Sequence, residues 1–178
     1  EVRLLELSTM ESRTLVKDEI WGLQNSTPGF SPNDEYVVYT AYKNFEQDLY
    51  AIHLKENKII NLTRTDVTET GPQWSSDGHY VYFISQRLKP AYPFGMGDAK
   101  VYRLPLEKLD APFKMDKYNE LFKEEKKDTT KKSPADSLKP ILIDPDGIME
   151  RIEQISPALG TQFLHALYQK GNQTSVLY

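Results

Sequence analysis

An internal repeat that aligns without gaps constrains this chain more than any other feature. Thr27-Pro-Gly-Phe-Ser-Pro-Asn-Asp-Glu-Tyr-Val-Val-Tyr39 superposes on Gly71-Pro-Gln-Trp-Ser-Ser-Asp-Gly-His-Tyr-Val-Tyr-Phe83. Pro28 matches Pro72, Phe30 matches Trp74, Ser31 matches Ser75 and Tyr36 matches Tyr80. The offset of about 44 residues is the size of a repeat unit built from four short strands. In each copy an aromatic residue ends one strand, and a turn of Ser, Pro, Asn, Asp or Gly follows. A run of β-branched and aromatic residues then begins, at 36–42 and at 80–84, which completes a hairpin.

The rest of each unit extends the hairpin. A third strand is expected at 48–54 and at 100–106, and a fourth at 58–63 and at 140–143. Four antiparallel strands per unit is the arithmetic of a propeller blade. Residues 2–7 and 12–17 resemble strands three and four of the same frame. Residues 155–157, 163–168 and 174–178 resemble the opening of a further unit. The expected fold is therefore all-β, a partial β-propeller of four-stranded antiparallel blades with a short helical insertion. It divides into outer strands of a preceding blade (1–19), one blade (20–66), a second blade with insertions at 88–99 and 107–139 (67–152), and the start of a following blade (153–178). Both ends read as cuts through a longer chain. A closed ring needs about four blades or more, so an open arc is expected, its ends masked by self-association or by other parts of a parent chain. The competing reading is a β-sandwich or barrel with chance likeness between two hairpins, which the shared turn spacing disfavours.

Two insertions break the repeat. The segment 107–139 is rich in Lys, Glu and Asp, with Asp116 as a candidate N-cap and Tyr118, Leu121 and Phe122 at i, i+3 and i+4. A helix over 117–126 and a polar stretch over 128–137 are expected, read as a solvated insertion with a partner-docking helix as the functional alternative. The segment 88–99 holds Pro90, Tyr92, Pro93, Phe94, Gly95 and Gly97. Its rings either tuck onto their own blade or meet a peptide or another domain. Alternating strand direction places the two insertions on opposite faces of the disc.

Composition removes several functions. The net charge of −4 argues against a generic nucleic-acid binder, which needs a basic face to displace counterions from phosphates, and leaves a local basic patch open. With no cysteine, disulfides and Cys-based zinc sites are excluded. No apolar run approaches the ~20 residues of a membrane span. His53, His79 and His165 are isolated, each inside or beside an expected strand. No Gly-x-Ser-x-Gly elbow, phosphate-binding glycine loop or His-Glu-x-x-His helix occurs. Asp144-Pro-Asp-Gly147 reads as a tight turn, because it lacks the further ligands of a calcium loop. Trp74 is expected in the core. No catalytic, cofactor-binding or metal-binding residue is assigned, and no cofactor is expected.

Pro72-Gln-Trp-Ser-Ser-Asp-Gly-His-Tyr-Val-Tyr-Phe-Ile-Ser-Gln-Arg87 resembles the repeat shared by TolB-like propellers and the propellers of tricorn-type proteases. Three further features narrow the resemblance. They are Val101-Tyr-Arg-Leu-Pro-Leu106 before the charged insertion, Ala111-Pro-Phe113 opening it, and Ile143-Asp-Pro-Asp-Gly-Ile-Met-Glu-Arg-Ile152 after it. Their order looks like a propeller of a tricorn-type serine protease (peptidase family S41), with the best match over residues 28–160. The resemblance implies a non-catalytic propeller that gates peptides toward a separate C-terminal protease core, where a serine and a histidine act and a PDZ-like module lies nearby. None of the residues here matches those catalytic motifs. The implied partners are peptide substrate in transit and that protease core, with no nucleic acid and no membrane span. The implied compartment is the cytoplasm, with the periplasm as the alternative, since a signal peptide on a parent chain would not be visible here. Two other classes remain open: a TolB-like protein-interaction propeller without protease activity, and the propeller of a prolyl-oligopeptidase-type enzyme. Sequence beyond Tyr178 separates them. A PDZ module and S41 core supports the first class, a stop the second, and a Gly-x-Ser-x-Gly elbow the third.

Overall fold

The computed structural model describes residues 1–20, 27–43, 46–65, 67–90, 97–108, 140–171 and 173–178. They form four antiparallel sheets. Strands β1 (Val2–Glu6) and β2 (Glu11–Val16) make a two-stranded sheet. Strands β3 (Gly29–Phe30), β4 (Tyr36–Lys43), β5 (Glu46–His53) and β6 (Ile59–Asn61) make a four-stranded meander. A second meander holds β7 (Glu69–Trp74), β8 (Tyr80–Ser85), β9 (Lys100–Pro105) and β10 (Glu153–Gln154). Strands β11 (Ala166–Lys170) and β12 (Gln173–Leu177) close the series as a hairpin.

Alternation along each strand gives each four-stranded sheet two apolar faces, and three cores form between successive sheets. Val37, Tyr39, Ala41, Tyr50 and Ile52 of the first meander pack on Val2 and Val16. Its other face, with Val38, Leu49 and Ala51, meets Val81, Phe83, Tyr102 and Leu104 of the second meander. The far face of that meander, with Tyr82, Ile84 and Val101, is covered by Leu164, Leu167 and Val176. Sheets stacked face to face in sequence order are consecutive propeller blades. Among the described residues no ladder joins β1–β2 to β11–β12.

The repeated turn folds by one mechanism in both blades. Ser31 and Ser75 are buried, and each hydroxyl accepts the amide of Tyr36 or Tyr80 at 2.9 and 3.0 Å. Each also donates to the residue two places on, Asn33 at 2.8 Å and Asp77 at 2.6 Å. The turns need one left-handed residue, Asp34 at φ 58° in the first and Gly78 at φ 76° in the second. Glycine is doubly required at 78, because a Cβ there would stand 2.6 Å from Ile141 Cδ1.

Two strand expectations fail. Residues 155–157, expected to open a further unit, belong to the second blade, where the Ile155 amide bonds Val101 O at 3.0 Å. The fourth strand of the second blade is not 140–143 but β10, where Glu153 faces Arg103 and Gln154 faces Tyr102. Ile141 instead inserts into the inter-blade core, Leu142 is exposed, and the Asp144 amide bonds Leu106 O at 2.9 Å. The Arg151 guanidinium then gathers the carbonyls of Pro105, Leu106, Asp144 and Asp146. This clamp holds 144–151 as a loop and a one-turn 3-10 helix (Ile148–Arg151), which delays the outer strand. The expected helix at 117–126 lies outside the described residues.

The ladder fixes where the insertions leave. Ser85 pairs with Lys100 and Tyr80 with Pro105. The 86–99 connection therefore departs from one end of the sheet and the segment after Pro105 from the other. Residues 91–96 and 109–139 lie outside the described residues.

Candidate functional site

At the end where 86–99 departs, the seam between the two blades is polar. Glu69, at the start of β7, is fully buried. Its Oε1 pairs with Arg87 Nη2 at 2.5 Å and accepts the Ser85 hydroxyl at 3.4 Å. Its Oε2 has no hydrogen-bond partner among the described residues. Burial pushes the carboxyl above the usual carboxylate range, the Arg87 charge opposes that shift, and Asp48 of the preceding blade adds to it. Arg87 itself lies over the rings of Tyr102 and Phe83, at 5.2 and 6.0 Å. Across the seam, Asp48 accepts the Thr65 amide at 3.0 Å and the Asn61 side-chain amide at 2.9 Å. A carboxyl enclosed this way and already paired with a guanidinium of its own blade is closed to substrate.

The second feature is a trough of about 420 Å³ at the turn end of the inner strands. It crosses three successive sheets: Gly29 and Phe30 from β3, Pro72 to Trp74 from β7, and Leu167 and Gln169 from β11. Trp74 was expected in the core, but it is only half-buried and packs against the edge of the inter-blade cluster. Its Nε1 donates to Gly29 O at 3.2 Å, which fixes the ring across the blade junction. Its repeat partner Phe30 is 53% exposed. The cause is position: β3 and β7 are edge strands, so their last side chains border open space as well as the core.

The isolated histidines stay separate. His53 Nδ1 accepts the Glu56 amide at 3.1 Å, and its ring stands edge-on to Tyr36 at 4.8 Å. His79 is exposed, with Nδ1 3.4 Å from Glu107. His165 is exposed, and its amide bonds Leu177 O. Asp144-Pro-Asp-Gly147 is a turn, in which Asp144 Oδ1 accepts the Asp146 amide at 2.9 Å and Gly147 sits at φ 62°. Among the described residues no three His, Asp or Glu side chains converge on a metal-sized site. No described helix is long and apolar enough to cross a membrane.

Sequence reasoning missed both the seam and the trough, although the repeat carried the signal for the first. Tyr39 stacks on Tyr50 at 5.5 Å and Phe83 on Tyr102 at 5.8 Å. A cation caps each pair, Lys43 at 5.0 Å from the Tyr50 ring and Arg87 at 5.2 Å from Tyr102. Lys43 and Arg87 stand at the same repeat offset from Tyr36 and Tyr80.

A stack of four-stranded meanders with a shared inner edge defines a propeller-type scaffold. Its likeness is to the propellers of tricorn protease and TolB. No family model matches the sequence. The tricorn protease structure aligns at TM-score 0.55 and 12% identity, covering 93% of this chain and 16% of that one. TolB from Acinetobacter baumannii aligns at TM-score 0.47 and 20% identity, over 60% of this chain and 24% of its own. TolB from Agrobacterium tumefaciens aligns at 0.42 and 22%, over 53% and 30%. At such identities the likeness is one of fold. The chain spans less than a third of the length of each.

Proposed function

We propose that this chain is a non-catalytic propeller region of a tricorn-like serine peptidase that degrades oligopeptides, and that it gates or channels peptide substrate toward a separate protease core. The observation that carries the reading is the alignment of 93% of the chain with part of tricorn protease, at TM-score 0.55. The open trough along the inner strands adds support, since it gives a passing chain a surface to touch. The partners are peptide in transit and the protease core, in the cytoplasm.

The test is a comparison of the 178-residue chain with the complete reading frame that contains it, using fluorogenic oligopeptides of graded length. The complete protein is expected to hydrolyse them and the 178-residue chain is not. Removing residues 1–178 from the complete protein should alter its selectivity for peptide length. Turnover by the short chain, abolished by a point mutation within it, overturns the reading. A complete protein without peptidase activity also overturns it, in favour of an interaction propeller.

A further inference from the structure

We infer that the trough at the turn end of β3, β7 and β11 is a subsite for an extended, uncharged peptide segment, with an apolar side chain lying on Phe30 and Trp74. The inference deepens the peptide-channelling reading and rests on it for the class of occupant. Four observations specify the chemistry. First, charged residues make up 27% of the chain, yet none of the eleven residues lining the trough carries a formal charge. A lysine or glutamate side chain entering it would lose hydration without meeting a counter-charge, so the trough selects against charged segments. Second, an aromatic pair is offered to the occupant: Phe30 is 53% exposed, and the Trp74 ring is held by its bond to Gly29 O. Rings fixed before binding lose little freedom when an apolar side chain covers them. Third, β3 and β7 each pair on one side only, so the trough runs along strand edges, where an extended chain is the matching shape. Fourth, the Gln73 amide stands on its wall, a group that takes main-chain N–H and C=O without demanding charge, while Gln169 Nε2 donates to Gly171 O at 3.2 Å. Ser76 and Gln169 are hydrogen-bonded to each other across the rim.

The experiment uses the 178-residue chain and two fluorescently labelled peptides of equal length. One is composed of Leu, Phe, Pro, Ala and Ser, and the other carries Lys and Glu at alternate positions. Binding is read by anisotropy, and fold retention by circular dichroism. The uncharged peptide is expected to bind saturably. Phe30→Ala, which removes an exposed ring, and Gln169→Glu, which adds a charge to the wall, should each weaken it about tenfold or more. The charged peptide should bind at least about tenfold more weakly than the uncharged one. Absence of saturable binding, equal binding of the two peptides, or binding indifferent to both variants overturns the inference. Self-association that depends on Phe30, seen by sedimentation without peptide binding, overturns it in favour of a second copy as occupant. The two proposals fail separately. Peptidase selectivity in the complete protein that is unaltered by Phe30→Ala removes the trough and leaves the function. Phe30-dependent binding in a protein without peptidase activity keeps the trough and removes the function.

Discussion

Asp48 in the first blade and Lys100 in the second stand at one structural address and carry opposite charges. Each precedes the residue whose amide bonds a hydroxyl just past the outer strand: Leu49 to Thr63 at 3.0 Å, and Val101 to Ser156 at 2.9 Å. Both side chains are buried. Asp48 faces a crossover that turns donors inward, the Thr65 amide and the Asn61 side chain. Lys100 faces one that turns an acceptor inward, the Gly160 carbonyl, and it pairs with Asp98 at 2.6 Å. The blade therefore demands a polar side chain at this address, and the polarity of the following crossover decides its sign.

Exchanging the charges is the hardest test of that account. Lys100→Asp and Asp48→Lys each bury a charge against groups of the wrong polarity, and each is expected to cost about 3–5 kcal/mol in urea unfolding. Lys100→Met keeps the stem and loses only the bonds, so it should cost about 1–2 kcal/mol. Charge exchange that leaves the urea midpoint unmoved would mean that the crossovers re-form around either charge.

The turns give the next contrast. Gly78 and Asp34 both occupy the left-handed region, but only Gly78 lies under Ile141. Gly78→Ala is expected to cost about 2–3 kcal/mol from backbone strain and displacement of that side chain. Asp34→Gly, which relieves strain but loosens the unfolded chain, should stay within about 1 kcal/mol of the parent. Equal effects at the two positions would remove Ile141 from the explanation. Smaller again are Thr63→Val and Ser156→Ala, which each strip the acceptor from one buried amide at about 1–2 kcal/mol. Thr63 should be the costlier, because its hydroxyl also reaches Asp48 at 3.4 Å.

These contrasts also show what could be read from the chain alone. Strands two and three of each blade were legible because β-branched and aromatic runs are bounded by the same Ser-centred turn. The outer strand of the second blade was not. Ile141, Leu142 and Ile143 have the apolar content of a strand, but Ile141 is drawn under Gly78, and Arg151 clamps the loop from Asp144 onward. The better guide was Asn61-Leu-Thr63 against Gln154-Ile-Ser156, in which polar, apolar and hydroxyl residues recur in order. The trough stayed hidden for a different reason. It joins residues from three sheets, and the repeat specifies what lies within a sheet rather than what meets across several. Trp74 shows the cost, since its match to Phe30 revealed a shared address but not that the address lies at an edge.

The smallest expected effect concerns Glu69, which has no described counterpart, since position 25 of the first blade lies outside the described residues. Burial raises its pKa and Arg87 partly offsets the shift, so the net is a difference of opposing effects. The sign comes from proton counting. At a pH below the ordinary value of 4.5 the carboxyl is protonated in both folded and unfolded chains and contributes no pH slope. Above that value the unfolded chain loses the proton first. The folded chain then holds more protons, and stability falls as pH rises until the folded group also ionises. Glu69→Gln has no such proton. The stability of the parent minus that of Glu69→Gln should therefore fall as pH rises above 4.5 and be flat beyond the folded pKa. Urea unfolding of both proteins at several pH values measures that difference, in which every other titrating group cancels. A difference that rises with pH would mean that the Arg87 pairing outweighs burial and that the carboxyl is ionised in the folded chain.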